Sequence, residues 1–439
     1  MKRTHWLLCG AAWLGACSVT IEGEQQQRDD AAAAGARAQW DRPFAARGEA
    51  PPPSSGAPLA DWIAFAEQHN GEIEAAWHAW CAAIEQVPQA ATQDTTAMVG
   101  VSHRLDGGAF LDRSALTLAS DAMNNLLLPG RLQDRGREAL AGARAAGARF
   151  VQSRLRLQRE VAERYHELAL HEREIALQER LRTVIAAAVP SQRARVAAGT
   201  AMQRDLLQAE LALLAADRDL ARLHAEHPGM VRALSALAGI AAATGDEPRP
   251  RLEPLQALLP SEEDAVQRAL TDDPAVAVRR REHEQTLAAI TVAEWQRVPE
   301  FSLQAMLGGD GVVALAGALT LPFLRDHAID AAVRQAAATA RAAEAMQRQA
   351  GADAIARAVA ALAALRAAAD QDALLQQEQA KAATVAELAR TSFATGGGTF
   401  ADWAAAESAR IGLEVARARL AADAAVARAR LLESLGGRT

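Results

Sequence analysis

The strongest constraint on this chain is a glycine turn that occurs twice. Thr395-Gly396-Gly397-Gly398-Thr399-Phe400-Ala401-Asp402-Trp403 interrupts an Ala-rich half that otherwise reads as helix. Gly396, Asp402, Glu407, Leu431 and Gly436 each match a residue 197 positions earlier, namely Gly199, Asp205, Glu210, Leu234 and Gly239. A single offset of that length marks a duplicated half, not a short solenoid repeat. Between Pro129 and Gly199, and again between Pro322 and Gly396, strand and turn signals are nearly absent. Each run is about 70 residues, which as one helix reaches about 100 Å. Globular helices average only a few turns, so no compact core hides such a rod. Each half is expected to be one very long helical hairpin, with its tip at Gly199 or Gly396.

The start of the chain bears on compartment. Met1-Lys2-Arg3 is basic, Trp6 to Leu14 is apolar, and Leu14-Gly15-Ala16-Cys17 closes the segment. The apolar part is too short to span a membrane, so residues 1–17 read as a secretory signal. Small residues followed at once by Cys17 resemble the bacterial lipobox, in which that cysteine becomes the acylated N-terminus. An ordinary signal with a chance cysteine is the other reading. Ser18 in the next position resembles lipoproteins sent to the outer membrane. With Cys9 removed, Cys81 has no partner for a disulfide framework. Residues 18–57, with Gln25-Gln26-Gln27, Ala31 to Ala34 and Pro51-Pro52-Pro53, read as a disordered polar tether.

The chain has 439 residues, 23% of them charged, and a formal net charge of −7, which argues against a nucleic-acid partner. Ala dominates its apolar residues and aromatics are only 4%. Such a sequence forms helices readily and suits close helix–helix contact better than a large core. After residue 17 no uninterrupted apolar run is long enough for a spanning helix.

A first repeat is expected over 58–245, a joint over 246–260 and a second repeat over 261–439. Asp61 to about Gln86 and Ser261 to Arg297 read as helices, the latter opened by the capping box Ser261-Glu262-Glu263-Asp264. After each comes a β pattern. Phe301 to Leu307 alternates, Gly308 to Gly311 turns, and Val313, Leu315, Leu319 and Leu321 return on one face. The earlier hairpin is blurrier, about Thr95 to Arg104 and Ala115 to Ser120. Isolated hairpins are marginal in water, so these strands need partners. Alternation with one apolar face suits a closed membrane barrel built from several chains, and a small soluble sheet is the alternative. Phe110, Phe301 and Phe323 are the candidates for an aromatic girdle.

The helices carry packing seams. Leu206, Leu213 and Leu220 recur every seven residues, with Ala209, Ala216 and Leu223 between. The preceding helix carries two seams, Val161-Leu168-Ile175 and Leu170-Leu177-Val184. Two seams call for two neighbours, as in a ring of helices around a hollow middle.

These features together resemble the TolC-like outer-membrane efflux proteins, over nearly all of residues 58–436. The resemblance is carried by Pro58-Leu59-Ala60-Asp61 through Asn70 and by Asp273-Pro274-Ala275. Leu128-Pro129-Gly130-Arg131 and Leu321-Pro322-Phe323 add to it where the long helices open, and the tips complete it with Arg195 through Leu207 and Ser392 through Asp402. The lipobox and the Leu-Pro-Gly-Arg segment look most like the heavy-metal branch. The resemblance implies a mainly α fold with a small β part. In it, duplicated helical hairpins of a homotrimer form a periplasmic α-barrel tunnel. Four strands per chain would close a twelve-stranded barrel in outer-membrane lipid. It also implies a periplasmic adaptor (membrane fusion protein) and an inner-membrane pump, with the RND type as candidate, exporting heavy-metal cations or other cargo. The short second hairpin and the single Tyr depart from the pattern.

Asp205 and Asp402 have two readings, helix caps or an acidic constriction at the tunnel's closed end. Thr399/Asp402 and Thr200/Gln203 have capping-box spacing. Arg195 reads as an exposed charge or a partner for a carboxylate across the tip. Gly199, Gly396, Gly397 and Gly398 are turn residues and candidate adaptor contacts. His224/His227 and His78/Cys81 lack the further ligands a metal site needs. The sequence has no nucleotide loop, zincin motif or nucleophile elbow, so neither an enzyme nor a cofactor is expected. A lipid-anchored coiled-coil adaptor without a pore is the rival reading.

Overall fold

The structure is a computed structural model. It describes residues 18–43, 46–47, 51–93, 96–103, 114–121, 129–240, 248–252, 260–307 and 313–437. The signal with Cys17, Phe110, both hairpin turns and most of the joint lie outside these residues. The elements are α1 Glu24–Ala38, α2 Leu59–His69, α3 Gly71–Ala90, β1 Thr96–His103, β2 Ser114–Asp121, α4 Pro129–Ala197 and α5 Gln203–Leu237. They continue with α6 Glu262–Asp272, α7 Pro274–Glu294, β3 Phe301–Leu307, β4 Val313–Leu319, α8 Asp326–Thr395 and α9 Phe400–Ser434. Short 3-10 turns at Trp295–Arg297 and Pro322–Arg325 flank the second hairpin. The chain divides into two compact units. One holds the residues up to Ala36 with Ala75–Phe150 and Ala275–Ala350, the other Arg37–Glu74, Val151–Pro274 and the chain from Gly351.

The two long rods are present as uninterrupted helices, α4 of 69 residues and α8 of 70. Their return helices, α5 and α9, are half as long at 35 residues each. Val161 and Leu168 on α4 are fully buried and Ile175 nearly so, while α5 buries Leu206, Ala209, Ala216 and Leu223.

The shorter helices differ from the sequence reading, because each is broken in the middle. At Asn70 the side-chain oxygen accepts the N–H groups of Glu72 (2.9 Å) and Ile73 (3.3 Å), and the side-chain amide donates to Leu237 O at 3.0 Å. A side chain that captures backbone groups in this way competes with the helix and ends it. At the matching place Asp273 is buried, accepts from Arg357 at 2.9 Å, and precedes Pro274, which opens α7. The duplicated glycines sit against these breaks. Gly239 (φ +74) and Gly436 (φ +70) approach so closely that an added Cβ would lie 2.3 Å from His69 O and 2.9 Å from Asp272 O. The sequence duplication is therefore also a duplication of contacts.

The expected disordered tether is corrected. Residues 24–38 form α1, and Ile21, Ala31 and Trp40 are buried. Trp77 Nε1 donates to Ala31 O at 2.8 Å, and Trp80 Nε1 to Gln27 Oε1 at 3.3 Å. Arg28 pairs with Glu24 at 2.8 Å and also with Glu85. Gly35 admits the Trp77 ring where a Cβ would be 2.4 Å from it. The segment looks polar in one dimension because tryptophans elsewhere supply its apolar partner. Ser18 forms an antiparallel bridge with Thr92, and Val19 N–H donates to Ala91 O at 3.0 Å.

The strands form one antiparallel sheet in the order β1-β2-β3-β4. Thr96 pairs with Asp121, Ser120 with Ala305, and Phe301 with Leu319. The start of β1, the end of β2, the start of β3 and the end of β4 thus share one end of the sheet. The β3–β4 hairpin is staggered so that its base extends past that of β1–β2, as strand tilt in a barrel requires. Among the described residues no helix is long and apolar enough to cross a membrane.

Candidate functional site: the paired hairpin tips

Both tips end their outgoing helix in the same way. Gly199 (φ +70) and Gly396 (φ +82) adopt the left-handed conformation that residues with a Cβ avoid. The next residue closes the helix end: Thr200 N–H donates to Arg195 O at 2.9 Å, and Gly397 N–H to Ser392 O at 2.9 Å. This six-residue closure satisfies carbonyls that the helix leaves open. Gly398 N–H adds a second bond to Ser392 O at 3.1 Å. Gly396 and Gly397 are exposed and Gly398 is half-buried.

The return helices start differently. At the second tip Thr399 Oγ1 accepts the Asp402 N–H at 3.1 Å, and its hydroxyl donates to Asp402 Oδ2 at 2.6 Å. At the first tip the expected Thr200/Gln203 box does not form. Met202 holds the cap position, and Asp205 Oδ2 accepts the Met202 N–H at 3.2 Å. Thr200 instead turns back to donate to Arg195 O at 3.0 Å. Its two-residue displacement from the helix start puts it within reach of the preceding helix end. Asp205 and Asp402 both cap, which favours a carboxylate at a helix N-terminus.

Arg195 reaches across the tip, to a carbonyl and an aromatic ring. Its Nη1 donates to Phe393 O at 3.4 Å, and its guanidinium lies 5.4 Å from the Phe393 ring centroid. The ring's negative face attracts the cation. Beneath it the tips share one buried cluster of Ile185, Val189, Leu206, Phe400 and Trp403, with Phe393 packed against it. Phe393 stacks on Trp403 (5.4 Å, 8°), and Phe400 meets Trp403 edge-on (5.6 Å, 63°). Further from the tips, Glu414 on α9 accepts from Arg410 (2.6 Å) and Arg180 of α4 (3.2 Å), with Arg173 at 3.7 Å. Sequence reading passed over this aromatic cluster, although Phe393, Phe400 and Trp403 flank the glycine run at helical spacing.

The histidine pairs face carboxylates. His227 Nε2 lies 3.5 Å from Glu172 and stacks on His171, and His224 Nε2 lies 3.9 Å from Glu179. Among the described residues no three His, Cys, Asp or Glu side chains are grouped to hold a metal ion.

No family model matches the sequence, and no curated protein matches it. Solved structures do match. The outer membrane protein VceC from Vibrio cholerae superposes with a TM-score of 0.72 at 19% identity, over 86% of this chain and 96% of that one. CusC, described for its folding and transmembrane channel formation, gives 0.74 at 17%, over 90% and 96%. The open state of the MtrE outer membrane channel of Neisseria gonorrhoeae gives 0.75 at 21%, over 86% and 88%. Superposing on these outer-membrane channels along 86–90% of its length, this protein has the fold of the TolC-like outer-membrane channels.

Proposed function

We propose that this chain is a passive exit duct of a tripartite efflux system, a homotrimer in the bacterial outer membrane. The observation that carries the reading is the duplicated pair of rods of about 100 Å joined to a sheet with two open edges, β1 and β4. Among the described residues neither edge has a partner strand, and neighbouring copies pairing β4 to β1 would close a twelve-stranded barrel. Cys17, next to the bridged Ser18, is the acylation site and the new N-terminus after removal of residues 1–16. The helical hairpins line a periplasmic tunnel, and a periplasmic adaptor grips the exposed turns at Gly199 and Gly396–Gly398. An inner-membrane pump of the RND type supplies energy and most of the selectivity, with heavy-metal cations as the candidate cargo. The chain itself carries out no catalytic step.

At the closed end, three-fold symmetry would gather copies of Asp205 and Asp402. Their cap bonds hold them in place, and like charges brought together bind cations and oppose one another. The test is single-channel conductance of the purified protein in a planar bilayer. The wild type should conduct poorly at rest and be blocked by multivalent cations. The pair Asp205→Ala and Asp402→Ala should raise resting conductance and weaken that block. Unchanged conductance and block would leave both aspartates as caps alone. A protein that conducts nothing, and is soluble once its acyl chains are removed, would instead be an adaptor.

A further inference from the structure

The base of the β3–β4 hairpin carries an exposed apolar patch that the duct reading leaves unused. Leu319 is 49% exposed, Leu321 45%, Phe323 62% and Leu324 74%, four large apolar side chains within six residues. Solitary exposed apolar residues are ordinary, whereas a contiguous set marks a contact surface. The patch is held firmly. Thr320 N–H donates to Glu300 O at 2.9 Å, Glu300 N–H to Thr320 Oγ1 at 2.8 Å, and Leu324 N–H to Leu321 O at 3.2 Å. Pro322 brings no N–H to satisfy. The turn therefore presents apolar side chains with little unpaired backbone, the condition for contact with hydrocarbon.

We propose that Leu319, Leu321, Phe323 and Leu324 form a lipid-facing foot, seated at the acyl–headgroup boundary of the inner leaflet of the membrane that the sheet enters. This rests on the duct reading. Three observations select lipid as the occupant. The patch continues from β4 and lies at the end of the sheet shared with the start of β1, four residues from Thr92 and its bridge to Ser18. A lipid attached beside Ser18 would sit at that same end. Exposed Arg325 and Arg297 flank the patch, Arg297 also pairing with Asp330 at 2.8 Å, which suits anionic headgroups. The neighbouring turn supplies Trp295, half-buried, whose Nε1 donates to Asp134 at 2.8 Å, an aromatic of the kind that gathers at membrane interfaces. The stagger of β3–β4 sets this foot beyond the base of β1–β2, so one side of each chain would mark the depth of the sheet in the bilayer.

The test places a nitroxide on Leu324→Cys in a Cys81→Ser background, in vesicles of phosphatidylethanolamine and phosphatidylglycerol. The Cys81→Ser parent serves as blank and Val385→Cys, exposed on α8, as the aqueous control. The expected result is collision with oxygen several-fold more frequent than with a polar nickel complex at position 324, and the reverse at 385. Equal nickel access at both positions would overturn the foot. So would protection of position 324 from both reagents, which would mean that a second copy covers the patch. Conductance recorded on the same vesicles separates the two readings. A conducting channel with a water-exposed label ends the foot and leaves the duct, whereas a protein that never enters the bilayer ends both.

Discussion

Thr399 and Met202 occupy equivalent cap positions, 197 residues apart, and the helices that follow them differ from there on. In the second hairpin a hydroxyl caps the helix, Phe400 and Trp403 are buried, and Ile411 is buried one face further along. In the first, the cap residue has no side-chain hydrogen bond, and Met202, Leu207, Leu211 and Leu214 are exposed. Leu214 is the counterpart of Ile411. The outgoing helices differ in the opposite sense. α4 buries large residues such as Leu132, Phe150, Tyr165 and Leu177, and α8 buries mostly alanine, leaving Leu374, Val385 and Leu388 exposed. Duplication fixed the backbone plan, with glycines, breaks and caps at matched places. Side chains then diverged according to what each helix touches, so the first return helix and the second outgoing helix keep more exposed apolar surface.

Substitutions at matched positions test this contrast. The largest effect belongs to the aromatic cluster. Trp403→Ala should cost about 3–5 kcal/mol by opening a cavity, against about 2–3 kcal/mol for its counterpart Leu206→Ala. Denaturant unfolding reads the total, and amide exchange over the first turns of α5 and α9 locates it. Equal losses would mean that the tips are energetically alike despite their chemistry. Gly199→Ala and Gly396→Ala test the shared plan. Each forces a Cβ into the left-handed region and should cost about 1–2 kcal/mol, and equal shifts in melting temperature are expected. A smaller difference is expected at the caps, where Thr399→Ala should lose about 1 kcal/mol and Met202→Ser should gain up to about 1. If the serine gains nothing, the first tip is held by tertiary contacts and not by its cap. Arg195→Met should cost roughly 0.5–1 kcal/mol, the scale of an exposed cation–π contact, and should raise amide exchange on both sides of the tip.

The smallest effect is a dependence on pH within the second hairpin. Asp372 on α8 is held below the usual carboxylate range, first by its hydrogen bond from Arg417 of α9 at 2.8 Å and then by that from Gln376. A depressed folded-state value means that the stabilisation is complete above the unfolded value of about 4. It is lost as pH falls through the folded value. Arg417→Ala should therefore lower the melting temperature slightly at neutral pH, the half-buried pair being screened in part by solvent, and should converge with wild type below about pH 4, which flattens the acid limb. A profile identical to wild type would show that the pair contributes nothing.

How far each feature was legible in one dimension follows from how local its cause is. The tips were legible because glycine in a left-handed turn and an acid in the first turn of a helix act within a few residues. Thr399 with Asp402 followed the expected spacing for that reason. Thr200 did not, because its hydroxyl found the end of the preceding helix closer than the start of its own. The reach of Arg195 to Phe393 joins residues 198 apart in sequence, and no periodicity encodes such a contact. The breaks at Asn70 and Asp273 have local causes, the Asn70 side chain and Pro274, whereas the contacts that fix them in place, to Leu237 O and Arg357, come from other helices. The tether was misread for a related reason. The partners of α1, Trp77 and Trp80, lie about 50 residues further on.

The rods, their length and their duplication follow from the one-dimensional pattern alone. Long stretches with few breakers propagate as helix once begun, even through Pro190, and a five-residue match at one offset survives any packing. That pattern also determined where each rod turns back, because glycine is the residue that adopts the left-handed backbone without a steric cost. Which faces are covered, which caps engage and that the N-terminal segment joins the folded body were settled in three dimensions. Those outcomes depend on apolar surface and polar groups supplied from far along the chain, and burial is a property of the assembled fold, not of any one segment.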